Sequence, residues 1–298
     1  MVTGILLLDK PLGLSSNSAL QRVKRLLRAE KAGHVGSLDP LATGMLPICL
    51  GEATKIAGDI LSGRKRYRFT AALGNRTATG DLEGAIVETL PVPAFDRATL
   101  DGVLSRFLGK QMQVPPMYSA IKRDGQPLYK LARAGVEVER APREIELFGF
   151  EVRAFDAASI QLEVSCSKGT YVRTLAEDIA RALGTCGHVS LLRRLHVEPF
   201  EGEPMITLEA VTAAAEAGQE TPLLSADRGV PHLLEVRLDA PAVHRVTHGQ
   251  AAGVPAETAP GRVRLYDDQG RFFGIGEADG FGTVQPRRLF VATPVKNP

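Results

Sequence analysis

The chain has 298 residues, which is enough for one large domain or for a large domain with a small one beside it. Its 44% hydrophobic and 23% charged residues are typical of an ordinary globular protein rather than of a disordered chain. No apolar run reaches the roughly 18 residues that span a bilayer, and the apolar start is too short for a signal peptide, so we expect a cytoplasmic protein. Three scattered cysteines without a Cys-x-x-Cys pair predict neither disulfides nor a bound metal.

Strands and helices alternate in the first part of the chain. Residues 4–8 form a short apolar run that predicts a buried strand, and the polar residues 15–17 can cap a helix after it. Residues 33–47 are rich in glycine, proline and threonine without a sustained period, which predicts a closely packed loop. Apolar or aromatic residues at positions 67, 69, 71 and 73 alternate with Arg66, Arg68 and Thr70, which predicts a strand with a basic edge. Further helices are predicted at residues 52–61 and 97–108.

Several strands follow one another directly in the second part of the chain, after a break at the two prolines 115 and 116. This order favours an α+β fold, with a mixed and mostly antiparallel sheet flanked by helices, over a doubly wound one. The predicted strands lie at residues 145–155, 160–166 and 188–197, and the predicted helices lie at residues 128–134, 170–183 and 207–217.

The pattern of the sequence changes near residue 230. Residues 223–231 have no clear period and are interpreted as a linker, and short strands split by glycine and aspartate turns follow at residues 263–266, 272–278 and 283–291. We therefore predict a large domain over residues 1–230, interrupted by a polar, basic insertion at about residues 115–145. A small β-rich domain is predicted over residues 235–298.

Basic residues are gathered in patches although the net charge is only +2. Five cations and no acid lie between Asp59 and Asp81, and residues 21–31 hold five cations against one acid. Such patches suit a polyanion with a defined docking face. From charge alone, a solvated basic face is an equally good explanation.

The densest candidate for chemistry is the segment 34–44, which reads His-Val-Gly-Ser-Leu-Asp-Pro-Leu-Ala-Thr-Gly. Its glycines let the backbone turn sharply, and Pro40 biases Asp39 toward an extended conformation. A single carboxylate on a stiff, weakly charged loop is well placed to act on a ligand. On local evidence alone, an Asx-turn residue before a proline is the commoner explanation of Asp39.

This segment resembles the His-x-Gly-x-Leu-Asp-Pro-x-Ala-Thr-Gly motif of bacterial tRNA pseudouridine-55 synthases. Several motifs in the right order are far more specific than one, and they favour the catalytic interpretation of Asp39. Two departures are Ala78, where the family often has an acid, and Gly187, where alanine is usual. The likeness continues in residues 4–13, 51–55, 65–67, 116–120, 129–135, 166–174, 192–195 and 286–288.

The resemblance implies the catalytic fold of pseudouridine synthases, an insertion that grips RNA and a C-terminal RNA-binding domain of the PUA type. It implies base flipping of uridine 55 in the T-loop of tRNA, since a stacked uridine cannot otherwise meet Asp39. The reaction exchanges a bond from C1′ to N1 for one from C1′ to C5, so no cofactor is expected. Whether the carboxylate attacks C1′, attacks the ring or removes the 2′ proton stays open.

The resemblance also assigns the expected residues. Catalytic roles fall on Asp39, Tyr67 and Arg173, where the guanidinium is expected to hold the carboxylate charged. Substrate-binding roles fall on His34, Lys10, Tyr171, Leu192 and Arg194, although a plain surface arginine also explains Arg194. Contacts to the RNA backbone are expected from Arg64, Lys65, Arg66, Arg68, Lys122, Arg123, Lys130, Arg133, Arg287 and Arg288.

Two other functions fit the same sequence. A non-catalytic RNA-binding or RNA-chaperone module could use this scaffold, but it would not need Asp39, Tyr67 and Arg173 together. The related catalytic subunit of guide-RNA particles would need partner proteins and a guide. The sequence predicts the stand-alone tRNA enzyme, with tRNA as its partner and with a monomer as the expected state.

Overall fold

The computed structural model describes residues 2–119, 121–123 and 125–290, except for the side chain of Lys122. Two 3-10 helices cover Gly51–Ile56 and Ala226–Gly229. The α-helices are α1 (Ser16–Leu26), α2 (Ala57–Ser62), α3 (Arg97–Ser105), α4 (Leu128–Arg133), α5 (Val172–Ala182), α6 (Leu208–Glu216) and α7 (Ala240–Thr247). The strands are β1 (Gly4–Lys10), β2 (Ala32–His34), β3 (Ala42–Leu50), β4 (Lys65–Leu73), β5 (Asn75–Thr77), β6 (Ile86–Thr89), β7 (Gly109–Gln113), β8 (Lys122–Arg123), β9 (Gln126–Pro127), β10 (Arg143–Phe155), β11 (Ser159–Cys166), β12 (Gly187–Val197), β13 (Ile206–Thr207), β14 (Leu234–Arg237), β15 (Ala252–Gly253), β16 (Gly261–Tyr266), β17 (Phe272–Ala278) and β18 (Thr283–Leu289).

A nine-stranded sheet forms the larger part of the molecule. Its strands run in the order β13-β1-β3-β12-β4-β11-β10-β7, and β2 pairs with β3 beside this path. The pairs β1·β13 and β3·β12 are parallel and the other pairs are antiparallel, as predicted for a mixed α+β sheet. The prediction of a basic edge on β4 is wrong, because β4 lies between β12 and β11 in the middle of the sheet.

The segment predicted as a loop at residues 33–47 is largely strand. β3 pairs with β1 along seven residues and with β12 at Leu192, Arg193 and Arg194, and eight of its nine residues are buried. A strand covered on both faces has no polar alternation, so its sequence lacks the period that marks a half-buried strand. What remains of the predicted loop is the short connection from residue 35 to residue 41, which carries Asp39.

Side chains that alternate along β1 and β3 serve two separate cores. Leu6 and Leu8 pack with the helical layer that includes α5, whereas Ile5 and Leu7 pack with the first 3-10 helix and with Phe200. Both faces of this half of the sheet are therefore covered, as period-two alternation requires when every position is apolar. No helix among the described residues is long and apolar enough to span a membrane.

The segment interpreted as a linker at residues 223–231 is packed rather than free. The backbone of Leu224 exchanges two hydrogen bonds with Ile5, of 2.8 and 2.9 Å, at the edge of the large sheet. Ala226 and Val230 are buried in the same core as Ile5. The interpretation as a linker was wrong, because the buried apolar residues of this segment are too widely spaced to give the sequence a helical or strand period.

A second sheet follows, with the strand order β14-β16-β17-β18-β15 and α7 packed against it. The sequence had predicted three of these strands but not α7, β14 or β15. This sheet rests on the first 3-10 helix and α2: Lys55 Nζ donates a 2.6 Å hydrogen bond to the carbonyl of Leu289, and Arg262 pairs with Asp59. Ile275 on β17 enters a core of the larger unit. The two sheets are thus joined by polar and apolar contacts.

Candidate functional site

Asp39 lies on the tight connection between β2 and β3, and α1 fixes this connection. The hydroxyl of Ser16, in the first turn of α1, accepts a 2.7 Å hydrogen bond from the Leu38 amide and donates one of 3.0 Å to the Leu38 carbonyl. On the other side of Asp39, the Pro40 carbonyl accepts a 2.8 Å hydrogen bond from the amide of Gly13. With both neighbours held, the carboxylate of Asp39 has a defined place.

Arg194 on β12 also holds the connection between β2 and β3. It is only 1% exposed, so the interpretation as a plain surface arginine is wrong. Its guanidinium donates hydrogen bonds of 2.7 Å to the carbonyl of Met45 and 2.9 Å to that of Gly36. A buried guanidinium bound to carbonyls positions the backbone, and it leaves few donors for a phosphate.

Two glycines of the segment are required by this arrangement. Gly44 has φ +100°, and a Cβ placed on it would lie 2.1 Å from the carbonyl oxygen of Arg194 in the neighbouring strand. Gly36 has φ +72°, and its Cβ would lie 3.1 Å from Nη1 of Arg194. Other residues rarely adopt these φ values, so glycine allows the turn and the close approach of β3 to β12.

Arg173, in the first turn of α5, is the partner of Asp39 that the sequence predicted. Its Nε lies 3.0 Å from Oδ2 of Asp39, and its side chain is 5% exposed. Its remaining nitrogens donate hydrogen bonds of 2.8 Å to the Thr79 carbonyl and 2.6 Å to the Tyr118 carbonyl. The guanidinium is therefore fixed from several directions and can orient the carboxylate.

Asp81 is a second carboxylate on Arg173, and the sequence had given it no role. It is 2% exposed, and its Oδ2 lies 3.5 Å from Nη1 of Arg173. Thr79 Oγ1 and the amide of Glu83 donate hydrogen bonds to its Oδ1. Arg173 thus links a half-buried carboxylate, Asp39, to a buried one, Asp81. The only sequence signal for this pairing was the acid that persists after the departure at Ala78.

The electrostatics of Asp39 differ from the expectation of an ordinary ionised aspartate. Burial raises the pKa of Asp39 above its usual value, and the negative charge of Asp81 raises it further, while the positive charges of Arg173 and Lys10 lower it. The carboxylate is 40% exposed and thus faces an open cavity. A raised pKa brings the protonation of this group closer to neutral pH.

A cavity of about 430 Å³ opens beside Asp39, within the size range of ligand sites. Tyr67 from β4 and Leu192 from β12 line it; Tyr67 lies opposite Arg194 in the strand pair β4·β12, two residues along β12 from Leu192. Tyr171, at the start of α5, lines the same cavity and is held by Gln113 through hydrogen bonds of 2.8 and 3.1 Å. Aromatic and aliphatic side chains thus line part of the cavity, and polar and charged side chains, Asp39 among them, line the rest.

Burial raises the pKa of the hydroxyl of Tyr67, and the positive charge of Arg194 opposes this effect. Burial likewise raises the pKa of Tyr171, so both phenols are neutral at pH 7. A flat, neutral ring is a suitable stacking face for a nucleobase. The structure thus brings Asp39, Arg173, Tyr67, Tyr171, Leu192 and Arg194 together around one cavity.

Lys10 lies close to the Asp39 segment but does not line the cavity. It is fully buried, and its Nζ donates hydrogen bonds to the carbonyls of Leu14 at 2.6 Å and Pro11 at 2.9 Å. Burial lowers the pKa of Lys10 to about 8, and the charge of Asp39 partly offsets that effect. Its place fits the expected electrostatic support of Asp39 rather than direct contact with a ligand.

His34 lines a second cavity, of about 460 Å³, on the other side of Asp39. Burial and the charge of Arg194 lower the pKa of His34, which keeps the ring neutral at pH 7. Its Nδ1 is buried and has no hydrogen-bond partner in the described part of the chain. Tyr129 and Arg133 of the predicted insertion line this cavity too, so the insertion stands over the site.

Three of the cations expected to contact RNA lie on β4. Lys65 is 4% exposed, and its Nζ donates 2.5 Å hydrogen bonds to the carbonyls of Leu61 and Gly63, so its assignment to the RNA backbone is wrong. Arg66 and Arg68 both pair with Glu163 on β11. Because side chains alternate along a strand, these two arginines lie on the sheet face opposite to Tyr67.

The other expected RNA contacts are distributed over the surface. Arg64 is exposed and stacks 4.0 Å from the ring centre of Phe148. Arg123, Lys130 and Arg133 are exposed on the insertion, while the side chain of Lys122 lies outside the described residues. Arg287 is exposed near Glu277, and Arg288 donates to the carbonyl of Lys55. Their contacts with RNA stay predictions.

The two departures from the motifs have different structural settings. Arg173 uses the backbone of Thr79 and the side chain of Asp81, so the absence of an acid at Ala78 leaves the Asp39 arrangement intact. A Cβ on Gly187 would lie 2.8 Å from the Cβ of Ala180 on α5. An alanine at position 187 would therefore require α5 to move away from the sheet.

Comparisons with known proteins place the whole length of the chain in one family. The model of the N-terminal domain of TruB family pseudouridylate synthases matches residues 24–172. A C-terminal domain of tRNA pseudouridylate synthase B matches residues 173–233, and the C-terminal part of pseudouridine synthase II TruB matches residues 235–290.

Curated relatives match almost from end to end. The tRNA pseudouridine synthase B of Sodalis glossinidius is 48% identical over 98% of this chain and 96% of its own length. The protein of the same name from Burkholderia lata is 49% identical over 98% of this chain and 91% of its own length. That of Stutzerimonas stutzeri is 48% identical, with coverages of 97% and 95%.

Solved structures share the fold. A structure described as an H/ACA RNP bound to a substrate RNA containing 2′-deoxyuridine superposes with a TM-score of 0.72 at 23% identity, over 97% of this chain and 86% of that one. A Cbf5-Nop10-Gar1 complex superposes with a TM-score of 0.70 at 26% identity, over 98% and 84%. Among the described residues, no group of three or more His, Cys, Asp or Glu side chains could hold a metal ion.

Proposed function

Because the chain belongs to the TruB family of pseudouridylate synthases, we propose that it isomerises uridine 55 in the T-loop of tRNA to pseudouridine. The observation that carries the proposal is the Asp39 carboxylate, held 3.0 Å from Arg173 at the wall of a cavity lined by Tyr67 and Leu192. A binding module has no need of a buried guanidinium that aims one carboxylate into such a cavity.

The cavity accepts a uridine that has left the stack of the RNA. Extrusion costs a few kcal/mol, which stacking on Tyr67 and apolar contact with Leu192 offset. The ionised Asp39 then starts cleavage of the bond between C1′ and N1. The detached uracil stays between the flat apolar walls and turns, because few directional hydrogen bonds hold it there.

Reattachment joins C1′ to C5 of the same uracil. The proton on C5 leaves and N1 gains a proton, so product and substrate have the same composition. The hydroxyl of Tyr67 lies at this cavity and relays the C5 proton: its oxygen accepts that proton while its own proton passes on, so the phenol is neutral before and after the step. His34, in the second cavity, braces the space that the extruded nucleotide leaves, with Arg133 and Lys130 of the insertion gripping the RNA backbone.

The release of the C5 proton supplies the test. An unmodified tRNA transcript that carries tritium at C5 of uridine should lose one tritium per molecule when it is incubated with the purified chain. Asp39→Asn should bind the transcript with unchanged affinity but release tritium at least about a thousandfold more slowly, since the carboxylate carries the chemistry. Asp101→Asn, on α3 and paired with Arg97, serves as the matched control and should keep full activity.

Retention of activity by Asp39→Asn would contradict the proposal. The same assay separates the stand-alone enzyme from a subunit of guide-RNA particles, because it contains no guide and no second protein. Digestion of the product to nucleosides should place the pseudouridine at position 55 alone. A binder without turnover would give no tritium release with any variant.

The organisation of the chain follows from the same proposal. Residues 1–230 form the catalytic module, with the insertion at about residues 115–145, and residues 235–298 form a PUA-like module that binds RNA. Asp39, Arg173, Tyr67 and Leu192 all come from one chain, which supports a monomer as the active state. Its substrate is a cytoplasmic RNA, and the enzyme acts in that compartment.

A further inference from the structure

Four cationic side chains line the cavity beside Asp39, and three of them are engaged within the protein. Arg173 and Arg194 are bound to backbone carbonyls, and Lys65 is buried and bound to those of Leu61 and Gly63. The fourth is Lys168, which is exposed. It is the one cation among the described residues of this cavity that is free to meet a ligand.

The turn that carries Lys168 is held in place. The hydroxyl of Ser167 accepts a 2.9 Å hydrogen bond from the amide of Glu146, and the amide of Ser167 donates one of 2.9 Å to the Glu146 carbonyl. Thr170 Oγ1 closes the turn with a 3.0 Å hydrogen bond to the Ser167 carbonyl. The backbone of the turn is thus fixed at the cavity, while the side chain of Lys168 is exposed to solvent.

The present partner of Lys168 does not explain its charge. Its Nζ donates a 3.2 Å hydrogen bond to the hydroxyl of Ser62 at the end of α2, and both groups are exposed. A neutral hydrogen bond in water contributes little, and a neutral side chain could make it equally well. Asp39 is the sole acid among the described residues that line the cavity, and Arg173 already neutralises it.

A nucleotide in this cavity brings negative charge to its rim. The base enters the apolar interior, whereas the phosphates on either side of the ribose stay in the continuous RNA backbone at the mouth. Resting on the proposed function, we propose that Lys168 binds a phosphate that flanks the extruded uridine, after giving up its contact with Ser62. It is a substrate-binding residue that holds the flipped nucleotide in register with Asp39.

The first measurement is the salt dependence of tRNA binding. Each neutralised phosphate of a single strand contributes about 0.7 to the slope of log Kd against log salt. Lys168→Gln should lower the slope by about that amount and weaken binding about fivefold at low salt, with little effect at high salt. Tritium release should show a raised KM and a kcat within about twofold of the original. Ser62→Ala should leave the slope unchanged.

The second measurement locates the phosphate. T-arm RNAs that carry one uncharged methylphosphonate, on the 5′ or the 3′ side of the target uridine, are bound by the original chain and by Lys168→Gln. If Lys168 contacts one of these phosphates, its neutralisation weakens the original chain about fivefold but leaves Lys168→Gln almost unchanged. Lys110→Gln, on the edge strand β7 and paired with Glu144, is the matched control and should respond like the original chain.

The proposal is overturned if the effects of Lys168→Gln and of both methylphosphonates simply multiply. An unchanged salt slope in Lys168→Gln has the same meaning. Failure of the proposed function looks different, since the unaltered chain would then release no tritium. If the unaltered chain is active but Lys168 shows no coupling to either phosphate, the role of Lys168 is refuted and the proposed function stands.

Discussion

Replacement of Arg173 by methionine tests whether one guanidinium serves both carboxylates. The change leaves Asp81, which is 2% exposed, without its counter-charge, and it leaves the carbonyls of Thr79 and Tyr118 without their donors. Removing one partner of a buried ion pair costs about 3 to 5 kcal/mol. Because Thr79 and Glu83 still donate to Asp81, we expect the lower end, about 3 kcal/mol.

Asp39 responds differently because it is 40% exposed and can be solvated. Loss of Arg173 removes a charge that lowers the pKa of Asp39, so this pKa rises further. On the proposed function, activity depends on the ionised carboxylate, and the acid limb of the pH–rate profile should therefore move to higher pH. A misplaced carboxylate should also lower kcat about a hundredfold at the pH optimum.

Urea unfolding and single-turnover tritium release measure the two effects. The double variant Arg173→Met with Asp81→Asn is the decisive control, because it removes the unpaired buried charge. It should be more stable than Arg173→Met alone, while kcat stays low since Asp39 still lacks its partner. If the two substitutions destabilise the fold additively, Asp81 and Arg173 do not form the pair described, and the reasoning fails.

Three further predictions concern the same site. Asp81→Asn removes a charge that raises the pKa of Asp39, so the acid limb of the pH–rate profile should shift to lower pH; a shift upward would refute this sign. Gly44→Ala should destabilise the fold by several kcal/mol in urea unfolding, because the new Cβ would lie 2.1 Å from the carbonyl oxygen of Arg194 and because φ at this position is +100°. A soluble variant of equal stability would exclude the close approach of β3 to β12. Burial lowers the pKa of Lys65 from 10.5 to about 8. Above pH 8 the unfolded chain therefore binds more protons than the folded chain, and the free energy of unfolding rises with pH. Lys65→Met should reduce the change in the urea midpoint between pH 8 and 9.

Much of the scaffold could be predicted from periodicity. The alternation of residues in β4 and the apolar face of α5 predicted these elements within a few residues. β3 could not be found in this way, because a strand that is buried on both faces carries no alternation. Lys65 was assigned to RNA as part of the basic run at residues 64–68, although alternation places it on the same face as Tyr67 and its side chain is buried.

The site itself was predicted through ordered motifs rather than through physics of single residues. They pointed to Asp39, Tyr67 and Arg173, which the structure brings to one cavity. Ser16 and Asp81 were missed as supports, since their roles depend on contacts across 22 residues and 92 residues of chain that no local pattern records. Long-range partners of this kind are visible only once the sheet has placed them.

The junction between the two sheets has a geometrical consequence. Lys55, Arg262 and Ile275 lock the C-terminal module against the first 3-10 helix and α2, and α2 carries Leu61 to the wall of the Asp39 cavity. These contacts therefore set the position of the C-terminal module relative to the Asp39 cavity. On the proposed function, an RNA that contacts both modules must present its extruded nucleotide and its second contact at the spacing that this junction sets.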